Sequence, residues 1–222
     1  MNLCIINGSP RKQKSNSTIL TEHFLNGYRK KGDEATVSTG YLTGPGEMEK
    51  SHDLLSQASH VIIIFPLYTD CMPGIVKEFF EKLPVNESGK EKNLGFIVQS
   101  GFPEAIHSVY VERYLDKFSR RMGYNYLGTI IKGGVEGIQV MPPFMTRKLY
   151  DNFYKLGEYF AETKTFSEEI KQKLRTPLRL NKANQAGFRV MNFLGFTNFY
   201  WNSNLKKNGA FEKRFDKPLV DF

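Results

Sequence analysis

Between Asn7 and Leu20 the chain reads NGSPRKQKSNSTIL. Four small polar residues stand in succession (Ser15, Asn16, Ser17, Thr18), preceded by Ser9 and by the cations Arg11, Lys12 and Lys14. Hydroxyls, an amide and a guanidinium at that density are suited to donating hydrogen bonds to an oxyanion. Where a helix begins, they add to the N–H groups that precede the first intrahelical acceptor and to the positive end of the helix dipole, the arrangement that holds phosphate. The plainer reading is an N-cap, a position that Ser, Thr and Asn favour. A cap uses one side chain, however, and the surplus of donors together with Arg11 favours an anion cradle. The better-known nucleotide and phosphate loops do not fit. Gly8 stands alone where G-x-G-x-x-G is needed, residues 38–41 (STGY) offer no ribose-binding carboxylate, and G-x-x-x-x-G-K-[ST] is absent. Cys4 and Arg11 are one residue too far apart for the Cys-x5-Arg loop of a small tyrosine phosphatase.

A second stretch, PLYTDCMPG from Pro66 to Gly74, carries a proline near each end and an aromatic, Tyr68, between them. Its backbone N–H groups from Thr69 onward are not needed by a sheet. A flat heteroaromatic ring could lie here, its apolar edges against Leu67 and Met72 and its ring nitrogens toward backbone amides. An ordinary loop with an exposed tyrosine is the alternative. Other reactive residue types read more plainly. His23, His52, His60 and His107 match no metal-ligand spacing and are read as solvated surface. Cys71 is read as a buried, inert thiol. Gly133, Gly134 and Gly137 are either turn residues or places where a ligand approaches the backbone. Two cysteines, Cys4 and Cys71, make no disulfide framework and fit a reducing, cytoplasmic setting. No apolar run approaches the length of a membrane span.

The elements that must position these loops follow from periodicity. Apolar, β-branched runs occur at Leu3–Ile6, Ala35–Ser38, Val61–Phe65, Leu94–Val98 and Leu127–Ile131, and Val61–Phe65 is apolar on both faces, as a central parallel strand requires. Segments of helical period lie between and after them, at Ser17–Lys31, Pro73–Leu83, about Ala105–Met122, and after Pro143. Strands alternating with helices predict an α/β fold whose parallel sheet is covered on both faces by right-handed crossovers. In such a sheet ligands bind beyond the carboxyl ends of the strands, so function is sought at Gly8–Ser17, Pro66–Met72, Gln99–Glu104 and Lys132–Gly137.

Taken together, GSPR…SNS after the first strand and PLYTDCMPGIVKEFFEK after the third resemble the NADPH-dependent FMN reductase branch of the flavodoxin-like superfamily, over roughly residues 1–160. The resemblance implies a flavodoxin-like three-layer sandwich, with a five-stranded parallel sheet of order 2-1-3-4-5, and non-covalently bound FMN. The phosphate would lie at Ser9, Arg11, Ser15, Asn16, Ser17 and Thr18, and the ring against Pro66, Leu67, Tyr68, Thr69, Asp70 and Met72. Ser100, Gly101 and Phe102 of the third loop (QSGFPE) would border the other edge of the ring. It further implies NAD(P)H as donor, a small-molecule acceptor such as a quinone, flavin or nitro compound, a homodimer, and no residue acting as nucleophile or metal ligand. The first loop is more basic than is usual in that family, and the two cysteines cannot supply an iron–sulfur centre.

Charge marks a boundary. From Lys164 to Phe222 there are twelve Lys and Arg against five Asp and Glu, whereas residues 1–163 hold nineteen against eighteen. The expected division is a flavodoxin-like FMN-binding domain, 1–163, and a basic, aromatic C-terminal extension, 164–222, that packs on the body or on a partner subunit. A flavodoxin-type electron carrier is the alternative function, and a pI near 9.3 argues against it, since carriers that dock basic partners are acidic. The tail contains no nucleic-acid-reading motif and no sustained amphipathic period for a membrane surface, so neither partner is expected.

Overall fold

The computed structural model describes residues 1–31, 36–86, 91–193 and 198–216. Five strands, β1 (Leu3–Asn7), β2 (Val37–Tyr41), β3 (His60–Pro66), β4 (Asn93–Gln99) and β5 (Asn125–Lys132), form one sheet in the order β2-β1-β3-β4-β5. Every pairing is parallel, with Leu3 level with Val37 on one side and with His60 on the other. All five expected runs are strands. Of the second run, Ala35 lies outside the described residues, and β2 begins at Val37.

Alternation along the strands feeds two cores, as the period of two in a strand requires. Cys4, Ile6, Val61, Ile63, Phe65 and Phe96 face one layer, made by α2 (Glu47–Gln57), α3 (Gly74–Glu81) and α4 (Val109–Arg121). Leu3, Ile5, Ile62, Ile64 and Ile130 face the other, made by α1 (Asn16–Arg29), α5 (Pro143–Thr163) and α6 (Glu168–Arg175). The result is the expected three-layer sandwich. The segment expected to be helical from Ala105 starts as a 3-10 turn, Ala105–Ser108, before α4. In α1 and α5, Gly27 and Gly157 let two backbones touch: a Cβ on Gly27 would stand 1.8 Å from the Tyr154 carbonyl oxygen, and one on Gly157 would stand 1.9 Å from that of Phe24.

The first compact unit runs from Met1 to Arg179, past the charge break at 163/164. Phe166, Ile170 and Leu174 belong to the core of that unit. The second unit, from Leu180 onward, contains α7 (Lys182–Phe193) and α8 (Phe199–Lys207). Within it, Lys206 and Arg214 lie 4.9 and 3.9 Å from the ring centre of Phe211. Phe193 and Trp201 are exposed. Leu194 and Phe196 of the aromatic stretch, and the side chains of Phe188, Met191, Phe199 and Tyr200, lie outside the described residues. No described helix is long and apolar enough to cross a membrane.

Candidate ligand-binding site

The turns that leave β1, β3, β4 and β5 converge at the carboxyl edge of the sheet around a cleft of about 150 Å³. Its walls include Ser9, Arg11, Ser15 and Asn16 from the first loop, Pro66, Leu67 and Tyr68 from the second, and Gln99, Ser100 and Gly101 from the third, with Glu136 of the fourth packed against Gly101. Nine of the fifteen residues singled out in the sequence thus line one cavity. Ser17, Thr18, Thr69, Asp70, Met72 and Phe102 stand beside it or behind it.

The first loop divides its polar groups between two uses. Ser15 is the N-cap of α1: its hydroxyl accepts from the Thr18 N–H at 3.2 Å and donates to the Lys12 carbonyl at 2.5 Å. Thr18 donates to the same carbonyl at 2.9 Å, and Asn7 reaches Thr18 at 3.0 Å. The Asn16 amide donates to the Val135 carbonyl at 2.8 Å and accepts from Gln139 at 3.0 Å, tying the first loop to the one after β5. These side chains hold the loop in shape. Four donors there remain for a ligand. The N–H groups of Asn16 and Ser17 precede the first intrahelical bond, the Ser17 hydroxyl is fully buried with no partner among the described residues, and the Arg11 guanidinium lines the cleft without one. A buried hydroxyl left unpaired costs about 1–3 kcal/mol, so Ser17 marks a place where an acceptor is missing. Gly8 has a packing role, since a Cβ there would meet Val76 at 2.4 Å.

The second loop is a tight turn. Tyr68 and Cys71 exchange both backbone hydrogen bonds, at 2.8 and 3.0 Å, which raises Thr69 and Asp70 to its crest with left-handed φ of 49° and 61°. Such a conformation in non-glycine residues is a local strain of the kind that clusters at ligand sites. The N–H groups of Thr69 and Asp70 take no part in the turn's own pair. Tyr68 is 46 % exposed, whereas Leu67 and Met72 are buried in the core behind the turn. Cys71 is exposed, which corrects the expectation of a buried thiol: the bridge turns its residue outward.

The third loop is bound to the fourth. Ser100 donates its N–H to Lys132 at 3.0 Å and accepts from Val135 at 3.0 Å, and Gly134 donates to Phe102 at 2.7 Å. A Cβ on Gly133 would lie 2.5 Å from the Phe102 carbonyl oxygen, and Gly134 and Gly137 have positive φ. The three glycines therefore serve the loops' mutual packing and turns. Phe102 is exposed and stacks on His107 at 4.4 Å, and His107 Nδ1 lies 3.0 Å from the Asp70 carboxylate, fastening the third loop to the turn of the second.

The histidines are not the solvated surface groups expected. His23 stacks on Tyr150 at 4.0 Å, His52 on Phe79 at 4.3 Å, and His60 lies edge-on to Phe160. Burial lowers the pKa of all three. Sequence reasoning missed the partners Gln139 and Glu136 and the Asp70–His107 tie. Only the position of those residues in or beside loops at strand ends could have pointed to them.

The cleft brings together a helix start with donors to spare, a strained turn and a small-residue loop at the carboxyl edge of a parallel sheet. The family model described as flavodoxin-like fold matches residues 1–149. No curated protein sequence matches significantly. Similar solved structures include an NADPH-quinone reductase from P. pentosaceus, 18% identical, covering 70% of this chain and 96% of its own, with a TM-score of 0.53. An NAD(P)H:quinone oxidoreductase from Methanothermobacter marburgensis is 15% identical, covers 71% and 96%, and gives 0.54. An FMN-dependent NADH-azoreductase from Bacillus anthracis in complex with FMN is 16% identical, covers 72% and 99%, and gives 0.51. With two thirds of its length matched and its strand order shared, the chain belongs to the flavodoxin-like fold family.

Proposed function

We propose that this chain is a flavin-dependent oxidoreductase, holding FMN in the cleft and passing a hydride from NAD(P)H to a small-molecule acceptor such as a quinone, a flavin or a nitro compound. The observation that carries this reading is the start of α1, where the Ser17 hydroxyl is buried and unpartnered among the described residues and two N–H groups precede the first intrahelical bond, with Arg11 lining the adjoining cleft. These are the donors that a phosphate dianion requires. The names of the similar structures, an FMN-dependent azoreductase and two quinone reductases, support the same chemistry. Bound FMN supplies the two-electron chemistry; the protein supplies position and electrostatics. Ser9, Arg11, Ser17 and the first turn of α1 would hold the phosphate, while Ser15, Asn16 and Thr18 keep that turn in shape. Pro66, Leu67 and Tyr68 would border the ring, with the N–H groups of Thr69 and Asp70 as donors to it and Ser100 and Gly101 at its far side. The cleft is smaller than a flavin nucleotide, so the ring would extend along the exposed face of the Tyr68 turn.

The purified chain should be yellow, absorbing near about 450 nm, and should bleach on anaerobic addition of NADH or NADPH. Ser17→Asp sets a carboxylate where a dianion must sit. It should weaken FMN roughly 100-fold or more by fluorescence titration while changing riboflavin, which lacks the phosphate, by less than about 3-fold. Equal losses for the two ligands, or none, would remove the phosphate assignment.

A further inference from the structure

Lys132 ends β5 on the α5 face of the sheet, a position where the register of β5 calls for an apolar side chain. It is half-buried, and its side-chain ammonium has no acidic or hydrogen-bonding partner among the described residues. Burial lowers its pKa, since the charged form is held away from water. Its side chain borders a hollow of about 770 Å³ between α5 and α6 that shares no lining residue with the cleft described above. Three more lysines line that hollow, Lys148, Lys155 and Lys173, against one carboxylate, Asp151. Asp151 is occupied by Lys155 at 2.7 Å, and Lys173 is paired with Glu169 at 2.6 Å. Lys132 and Lys148 therefore remain as uncompensated cations. The remaining wall includes an apolar shelf, Met141, Met145 and Leu149, backed by the buried Ile138 and Leu174, which a bare inorganic ion would not contact.

We propose that this hollow is a second ligand site, for a phosphorylated small molecule with an apolar or aromatic body, of which a nucleoside diphosphate is the simplest example. The phosphate end lies with the ammonium groups of Lys132 and Lys148, compact point charges suited to phosphate. The organic end lies on the shelf of Met141, Met145 and Leu149. The backbone carbonyl of Lys132 accepts the Ser100 N–H at 3.0 Å, so one residue carries the floor of this hollow and a hydrogen bond to the wall of the cleft. The site does not depend on the identity of the ligand in the cleft.

Calorimetric titration tests it. ADP and, separately, inorganic phosphate are added to the full-length chain, both as purified and after saturation with FMN. ADP should bind with one-to-one stoichiometry in both states, at least about 10-fold tighter than phosphate and more weakly as salt rises. Lys132→Met and Lys148→Ala should each weaken ADP about 10-fold or more with FMN affinity unchanged. Lys148 is exposed, so its variant keeps the test decisive should Lys132→Met disturb folding. Absence of ADP binding, ADP binding untouched by Lys148→Ala, or ADP displaced by FMN would each overturn the proposal. Equal affinities for ADP and phosphate would overturn the organic ligand.

Discussion

The chain's two thiols have opposite environments. Cys4 is fully buried in β1, and burial pushes its pKa from 9.0 up to about 11, opposed in part by a hydrogen bond from Ser38. Cys71 is exposed on the turn. Its neighbours Met72 and Leu67 are as apolar as a buried cysteine's should be, but the Tyr68–Cys71 bridge reverses the chain and turns that residue outward, a fact of backbone geometry that residue types do not carry. One thiol should therefore react at once with a disulfide reagent in the native protein and both after denaturation. The stability consequence belongs to Cys4. Its folded pKa lies above its unfolded value, so its contribution is complete below about pH 9 and is lost as pH rises through about 11. A shift of that size corresponds to about 2–3 kcal/mol. Urea unfolding of the wild type and of Cys4→Ala between pH 8 and 11 should show the wild type losing about 2 kcal/mol more across that window. Tyr126, whose pKa burial also raises, to about 12, is present in both proteins and cancels. Parallel curves would contradict the assignment.

At the scale of elements, the strands were legible because a parallel sheet buried on both faces demands runs such as Val61–Phe65, which few other settings tolerate. The helices were legible from their apolar stripes, and the loops at the carboxyl edge from topology alone. The division of labour inside the first loop was not legible. Ser15, Asn16 and Thr18 look as available to a ligand as Ser17 does, and only the carbonyls of Lys12 and Val135, brought in by the fold, show that they are engaged. The manner in which α1 is held was equally invisible, because Gly27 and Gly157 read as helix-weakening residues. In the fold they are the contact itself, and they set the distance at which α1 carries its N-terminal donors over the sheet. Gly27→Ala would force a methyl group against the Tyr154 carbonyl oxygen and separate the helices. Its cost should be about 3 kcal/mol in denaturant unfolding, at the upper end for overpacking, with ligand affinity at the cleft falling as α1 shifts. A loss below about 1 kcal/mol, the scale of helix propensity alone, would mean that the crossing relaxes freely.

At the scale of the whole molecule, the charge break at 163/164 and the structural division at 179/180 differ for a physical reason. Charge is a property of surface, and the stretch after Lys164 is basic outside but apolar within. Phe166 fills the space above Gly95, where a Cβ would meet its ring at 2.8 Å, and Ile170 and Leu174 are buried beside it. Arg175 grips Glu112 of α4 through two contacts, at 3.0 and 3.2 Å, around the β5 edge of the sheet. Pro177 and Leu178 then accept the N–H groups of Ala105 and Ile106, closing on the segment that follows the third loop. Residues 164–179 therefore cover the last strand and brace one side of the cleft. Two truncations separate these roles from those of the second unit. A chain ending at Arg179 keeps every contact just named and should unfold cooperatively, with a stability close to that of its own unit in the full chain and with cleft affinity intact. A chain ending at Thr165 exposes the surface under three large apolar side chains, each worth about 1.5–3 kcal/mol of burial, and frees Ala105 and Ile106. It should lose about 5 kcal/mol or more, enough to leave a marginal domain largely unfolded, and should lose ligand binding with it. Circular dichroism melts and FMN titrations of both chains read the outcome. If the chain ending at Thr165 melts and binds like the one ending at Arg179, then α6 is a cover that the domain does not need, and the charge break is the true boundary.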